Sequence, residues 1–314
     1  MILLYRGEGF DADFYHHSRV DIDHCFFLSD GGRRILFVPK MNEAIARASF
    51  RGKVVVYKDA VEALSPFTKR KTVLFDGSSM SARMAKKIGK ICRLKDDSQG
   101  LLKMRAQKTP DEVSHIRRAV RETKDIFDSL DLESAKTELD LQKQLLSMTL
   151  ERGLEPAFEP IVASGHNSSF PHYRAGMKKL GGLVLVDYGV RYRHYCADLT
   201  RCFILDGDRK KKERYERLQG ICHFLADSLP SLGTGKDVAA LAEDLMAKAG
   251  FPKMIHSIGH GIGLDVHELP SLNRKSEDPL SKAAMAIEPA FYLKGYGMRY
   301  EETVWNDGKR ARVL

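Results

Sequence analysis

The run Leu183–Arg201, LVLVDYGVRYRHYCADLTR, constrains this chain more than any other. Leu183 to Val186 is an apolar stretch with β-branched residues, the composition of a largely buried strand. Asp187 closes it, Gly189 and a polar turn follow, and a second strand-like run carries Asp198. A turn over Val190 to Arg193 would set Gly189 opposite His194 and Asp187 opposite Cys196. Asp198 is then the diagonal neighbour of Asp187 on one face, ~7–8 Å away. Two carboxylates brought together on a buried face repel each other unless a cation lies between them. Taken alone, the pair would also fit a surface hairpin with two solvated acids. A second hairpin that repeats the arrangement argues for the cation.

That hairpin lies in Met285–Val304, MAIEPAFYLKGYGMRYEETV. Lys294-Gly295 makes a two-residue turn, glycine supplying the positive φ. The resulting register pairs Leu293 with Tyr296 and sets Glu288 opposite Glu301 at ~5 Å, which destabilises a strand pair in the absence of a cation. Glu302 faces the other way. Between the two hairpins, Gly250–Pro270 (GFPKMIHSIGHGIGLDVHELP) holds His256, His260 and His267 among Gly259, Gly261 and Gly263. The glycines oppose a helix and imply extended backbone approached closely by another segment. Three histidines on such a run point to metal or substrate binding by at least one of them. Phe158–Tyr173 begins strand-like and breaks into a small-residue polar loop holding His172, a usual location for function.

Asp187, Asp198, Glu288 and Glu301 with one histidine form an oxygen-rich, single-nitrogen donor set. Such a set suits Mn(II), Co(II), Fe(II) or Zn(II) in a reactive site more than a structural zinc, which prefers Cys and His. Five ligands with several carboxylates suffice to bridge two ions at ~3.5–4 Å, a pair that acidifies a water and polarises a carbonyl. The reaction class is then hydrolysis, with one glutamate moving the proton and nearby histidines steadying the oxyanion.

The rest of the chain narrows the setting. At 314 residues, 43% hydrophobic and 30% charged, it has the make-up of an ordinary globular protein of one large or two smaller domains. MILLYRGEGF lacks the long apolar core of a signal peptide and no later run approaches a membrane span, so a cytoplasmic location is expected. Cys25, Cys92, Cys196, Cys202 and Cys222 are scattered and odd in number, excluding a disulfide framework or CxxC zinc site; they read as buried apolar residues. A net charge of +9 alone does not argue for nucleic acid. The densest basic run, Arg209–Arg217, is interleaved with glutamates and reads as a solvated helix face.

Residues 1–101 alternate strand-like runs (Arg34–Val38, Lys53–Tyr57, Thr72–Phe75) with helical ones (Glu43–Ala48, Ser81–Ile91), a small α/β domain without catalytic spacings. His16, His17 and His24 read there as surface or edge residues. The seam falls near Gly100. Beyond it, Thr109-Pro110-Asp111-Glu112 caps a helix expected to run to about Asp131, and Thr137 opens another to Arg152. Residues 102–314 therefore form an α+β domain, expected to pack against the first.

The segments IVASGHNSSFPHY, VDYG…CADLTR, HSIGHGIGLDVHELP, AIEPAFY and MRYEETV closely resemble the pita-bread metallopeptidases, and among them the Xaa-Pro peptidases, prolidase and aminopeptidase P. The resemblance spans about residues 102–310 and implies a pita-bread catalytic domain preceded by a smaller creatinase-like α/β domain. It implies Asp187, Asp198, His260, Glu288 and Glu301 as ligands of two divalent ions, Mn or Co first and Zn or Fe as alternatives. Asp198 and Glu301 would bridge the ions. Glu288 would be general base and proton shuttle, His172 and His267 its catalytic partners, and His256, Tyr292 and Arg299 substrate-side contacts. The implied substrates are short peptides with proline second, whose scissile nitrogen carries no N–H. A homodimer with no membrane or nucleic-acid partner is expected. Ala290 and Glu302 replace the family's usual glycine and aspartate. Ser271 stands where many archaeal-type prolidases carry an arginine that holds a dipeptide's carboxylate, with Arg274 three residues on, so longer peptides stay open as substrates. Methionine aminopeptidase shares the ligands but not the creatinase-like domain or the SSFPHY loop. A metal-free binding module of the same fold would have lost ligands that this chain keeps.

Overall fold

The computed structural model describes residues 1–314 and divides into two compact units, Met1–Arg105 and Ala106–Leu314. The boundary lies four residues beyond the expected 101/102 seam because a helix, Ser98–Ala106, runs through that seam. Leu101 on this helix is buried in the first unit's core, and Arg105 donates to the buried Asp13 carboxylate at 2.7 Å.

The first unit is a mixed sheet in the order β4-β3-β2-β1-β5-β6, built from β1 (Ile2–Arg6), β2 (Cys25–Asp30), β3 (Arg33–Pro39), β4 (Lys53–Tyr57), β5 (Thr72–Phe75) and β6 (Arg93–Asp96). The sequence shows β3, β4 and β5 but conceals β2, CFFLSD, because that strand has both faces covered. Phe27 enters one core with Phe14 and Leu36, while Phe26 and Leu28 enter the other with Leu3 and Phe37. A strand buried on both sides loses the alternation that marks one. His16 and His17 lie half-buried on the helix Ala12–Ser18, and His24 is exposed.

The second unit opens with the helix Pro110–Asp128, capped by the reciprocal Thr109–Glu112 box with proline in the first turn, and ending three residues before the expected Asp131. Glu138–Glu151 follows, with Thr137 and Asp140 forming the same device. The basic run Arg209–Arg217 occupies the first half of the helix Arg209–Ser228, mostly exposed, with Arg209 paired to Glu213. Its apolar half, including Leu218 and Leu225, joins Val238, Met285, Ile287 and Phe291 in the core. No helix of either unit is long and apolar enough to cross a membrane. All five cysteines are buried and free.

Three small sheets and one larger one carry the site. β7 (Glu155–Pro156) pairs with β10 (Val190–Tyr192), which pairs with β11 (Tyr195–Cys196). β8 (Ile161–Ser164) and β12 (Leu199–Ile204) flank β9 (Leu183–Tyr188), whose six residues are all buried. The first hairpin corrects the expected register. Its turn is Arg193-His194, both with positive φ, and Asp187 lies opposite Thr200, not Cys196. A turn of two non-glycine left-handed residues carries no sequence mark. The slip is an even number of residues, so the face survives and Asp198 remains a diagonal neighbour of Asp187 from the other side.

The second hairpin has the expected register. Leu293 N–H donates to the Tyr296 carbonyl at 2.8 Å. It runs through two sheets: β15 (Ala283–Ile287) with β18 (Glu302–Asn306), and β16 (Ala290–Tyr292) with β17 (Gly297–Arg299). Ile287 pairs with Glu302 and Ala290 with Arg299, so Glu288 stands opposite Glu301 where the hairpin passes from one sheet to the other. β13 (Gly259–Gly261) is sandwiched between β14 (Glu268–Leu272) and β15, and β19 (Ala311–Val313) closes the sheet beside β18. A Cβ on Gly259 would stand 2.0 Å from the Ala286 carbonyl oxygen, and one on Gly261 2.1 Å from that of Leu269. Only glycine allows this approach, which threads His260 between two strands.

Candidate active site

Each acid sits where its hairpin passes from one sheet to the next. Asp187 is the penultimate residue of β9, Asp198 directly precedes β12, Glu288 directly follows β15, and Glu301 directly precedes β18. His260 is the central residue of β13. One carboxylate oxygen each of Asp198 and Glu301 and one ring nitrogen of His260 lie within 4.8 Å of one another, all three residues buried. His260 Nε2 is 3.7 Å from Asp198 Oδ2 and 4.0 Å from Glu288 Oε1. Its Nδ1 is 3.1 Å from the Gly261 carbonyl, which can only accept. The proton therefore sits on Nδ1, and the Nε2 lone pair faces the acids. Burial pushes the imidazole's pKa down to about 4, so it is neutral at physiological pH.

The acids crowd one another. Burial, then the charges of Glu301, Asp187 and Glu288, drive the Asp198 pKa well above the usual carboxylate range. Burial, then Asp187 and Glu288, does the same to Glu301. Burial with the Asp187 charge pushes Glu288 up to about 7 against the pull of Arg299. Asp187 Oδ1 and Asp198 Oδ1 are buried without a hydrogen-bond partner, an expensive state for carboxylate oxygens. Four acids, two of them with an unsatisfied oxygen, and one imidazole lone pair are a donor set that suits a divalent cation, and the residues fit that group.

Arg299 is the one cationic Lys or Arg side chain on the cavity wall. It contacts Asp187 through Nη2, donates from Nε to Thr200 Oγ1 at 2.9 Å and from Nη1 to Tyr292 Oη at 2.9 Å. Thr200 Oγ1 in turn donates to Glu301 Oε2 at 2.7 Å. The Tyr292 hydroxyl is 3.1 Å from His256 Nε2, and His256 Nδ1 is 2.7 Å from the Ser257 carbonyl. With Nδ1–H held by that carbonyl, Nε2 accepts from the tyrosine, giving a donor chain Arg299 to Tyr292 to His256.

These groups form one wall of a cavity of about 580 Å³. His172, His256 and His267 line it, and the His267 ring lies 4.1 Å from that of His260. Phe158, Ile161, Pro171 and Val266 form its apolar side. The structure thus brings every expected site residue to one cavity except Tyr292, which stands behind Arg299 and His256 rather than on the wall. Thr200, which joins Arg299 to Glu301, escaped sequence reading. Its signal was its place two residues after Asp198, on the same face of a strand. Arg274 is turned away: it is exposed and paired with Glu243 at 2.9 Å.

The signature of metallopeptidase family M24 matches residues 114–306, more than half of the chain. The chain belongs to metallopeptidase family M24. It is 28% identical over 303 residues to the Xaa-Pro dipeptidase of Pyrococcus furiosus, covering 93% of this chain and 87% of that one. The solved prolidase of the same organism superimposes with a TM-score of 0.88 at 25% identity, over 99% of this chain and 95% of the other. The X-Pro aminopeptidase of Thermotoga maritima gives a TM-score of 0.91 over 100% and 95% of the two chains, and at 24% identity it speaks for the fold alone. The M24 fold is the pita-bread fold, and this chain is a metallo-exopeptidase of that family.

Proposed function

We propose that this M24 peptidase removes the N-terminal residue from short peptides whose second residue is proline. The observation that carries the reading is the cluster of the buried Asp187, Asp198, His260 and Glu301 with the half-buried Glu288 on one wall of a substrate-sized cavity, in a chain similar to Xaa-Pro dipeptidases along nearly its whole length. Divalent cations held by these five side chains would supply Lewis-acid polarisation of the scissile carbonyl and a more acidic water. Manganese or cobalt suits the oxygen-rich set first, with zinc or iron as alternatives.

Glu288 takes the proton of the attacking water as a carboxylate. As a carboxylic acid it then gives that proton to the prolyl nitrogen as the C–N bond breaks, releasing the first amino acid and a product that begins with proline. His267 and His172 line the same cavity, where either could donate to the oxyanion. Arg299, Tyr292 and His256 orient the substrate through their shared chain of donors. Phe158, Ile161, Pro171 and Val266 take apolar side chains.

Ser271 and the outward-held Arg274 leave no guanidinium at the position where archaeal-type prolidases grip a dipeptide's carboxylate, which favours tolerance of peptides longer than two residues. A cytoplasmic homodimer completes the proposal, and analytical ultracentrifugation checks its second part. The decisive assay sets Ala-Pro beside Ala-Pro-Ala, with Mn(II) and Co(II) in turn and Met-Ala as control. Release of alanine from both proline peptides is expected; cleavage of Met-Ala alone would overturn the assignment.

A further inference from the structure

The side chain of Glu138, the first residue of the helix Glu138–Glu151, is fully buried and lies outside the metal cluster and the cavity wall. Its carboxylate accepts four hydrogen bonds. Oε1 takes the Ser164 N–H at 2.7 Å and the Asn167 amide at 2.9 Å; Oε2 takes the Tyr173 hydroxyl at 2.9 Å and the Gly176 N–H at 3.2 Å. All four donors belong to the segment 164–176, which carries Pro171 and His172 to the cavity.

That segment has little regular secondary structure to order it. After the short 3-10 turn Gly165–Ser169 no helix or strand occurs until Leu183. Its far end is zipped to the same helix terminus, Glu138 N–H donating to the Lys178 carbonyl at 2.9 Å and Leu139 N–H to that of Gly176 at 3.0 Å. Two contacts tie it to the second hairpin: Gly297 N–H to Ser168 Oγ at 2.9 Å, and His166 Nδ1 with the Lys294 carbonyl at 2.7 Å. The Tyr173 hydroxyl also accepts from the Asn167 amide at 2.8 Å, so two donors of the set brace each other. Tyr173 adjoins His172.

We propose that Glu138 is a positioning residue for the active site, its carboxylate being the fixed point on which the loop folds so that His172 reaches the reacting carbonyl. The Ser164 and Gly176 N–H groups and the Asn167 amide reach the carboxylate from both sides, so both of its oxygens serve as acceptors. An amide in its place turns an NH₂ toward two donors, and an aspartate falls one methylene short of all four. The inference rests on the peptidase reading for its effect on turnover and on geometry alone for its effect on the loop.

The test combines hydrogen exchange with a double-mutant cycle on the metal-loaded protein. Glu138→Gln is expected to speed amide exchange in residues 165–176 while leaving β9 and β13 protected, and to leave manganese affinity unchanged. Its kcat/KM for Ala-Pro-Ala should fall by roughly 10²-fold, the scale of a misplaced catalytic group. His172→Ala should fall comparably, and the pair together no further than the worse single variant, because both remove the same contribution. Additive losses, or loop exchange like that of the wild type, would overturn the proposal. Should Glu138→Gln fold poorly, Tyr173→Phe removes one of the four donors and must give a smaller effect of the same kind. If the wild type cleaves no Xaa-Pro bond the peptidase reading fails, while the exchange measurement still decides whether Glu138 holds the loop.

Discussion

Arg299 and Asp187 are in direct contact on the wall of the active-site cavity, a buried guanidinium against a buried carboxylate in the midst of three further acids. Removing the cation leaves its partner charged and buried. Arg299→Met is therefore expected to cost the metal-free protein about 3–5 kcal/mol, the usual penalty for breaking a buried pair from one side. Added manganese should close part of that gap by replacing the lost positive charge. Denaturant titration with and without metal measures both numbers, and a variant as stable as the wild type in the metal-free state would contradict the account.

Asp198→Asn separates binding from stability. Its carboxyl is pushed far up by burial and by Glu301, Asp187 and Glu288, and one of its oxygens has no partner. Neutralising it relieves repulsion, so the metal-free variant should melt at or above the wild-type temperature. The same change removes a donor from the set that spans 4.8 Å with His260 and Glu301. Thermal stabilisation by manganese and all turnover should vanish together. Calorimetric titration that still showed tight metal uptake would refute this.

The pH dependence has a definite sign. Glu288 is held at about 7 in the folded protein against an ordinary value of 4.5. Between those values the folded state binds more protons than the unfolded chain, so this contribution is present at low pH and is lost as pH rises through 7. His260 acts oppositely: held at about 4 against an ordinary 6.5, it adds stability as pH rises through that window and is complete above it. Above pH 6.5 the His260 contribution is largely complete, whereas Glu288, Asp198 and Glu301, all raised, still lose protons that the unfolded chain has already lost. Melting temperature of the metal-free protein should therefore fall from pH 6.5 to 8, while stabilisation by manganese grows. Metal uptake in weak buffer at pH 7 should release protons, and a titration with no proton release would remove the basis of this claim.

Lys108 Nζ and Glu268 Oε2 form a second buried pair at 2.8 Å, and Glu268 Oε1 also accepts the Asp265 N–H at 3.1 Å, fixing the turn that carries His267. Lys108→Met or Glu268→Leu alone is expected to destabilise by about 3–5 kcal/mol. The double variant should recover much of that loss, since no charge is left stranded. Equilibrium unfolding of the three variants gives the coupling directly; a double variant no better than the sum of the singles would show that the pair is not acting as a unit.

The sequence carried the site better than the scaffold. Glu288 opposite Glu301 could be read because Lys294-Gly295 is a turn whose chemistry declares itself. The first hairpin could not be registered, because Arg193 and His194 take left-handed conformations that neither residue type advertises. Even so, its acids fell on the right face, since strand parity forgives an even slip. His260 was legible through Gly259 and Gly261, which exist to let the Ala286 and Leu269 carbonyls come close. What stayed hidden was relational. Thr200 is marked only by standing two residues after Asp198 and Glu138 by no spacing at all, and their importance lies in partners about 100 and 26 to 38 positions away. β2 was missed because burial on both faces erases the alternation by which strands are recognised.

The five side chains proposed as ligands are spread from residue 187 to residue 301 and come from two hairpins and the strand β13, which approach only when the second unit's sheets have assembled. A chain still emerging from the ribosome can present no more than fragments of that set. A cation that needs the whole set would therefore be captured only once the last hairpin has closed, which would make ion capture a natural checkpoint for a finished molecule.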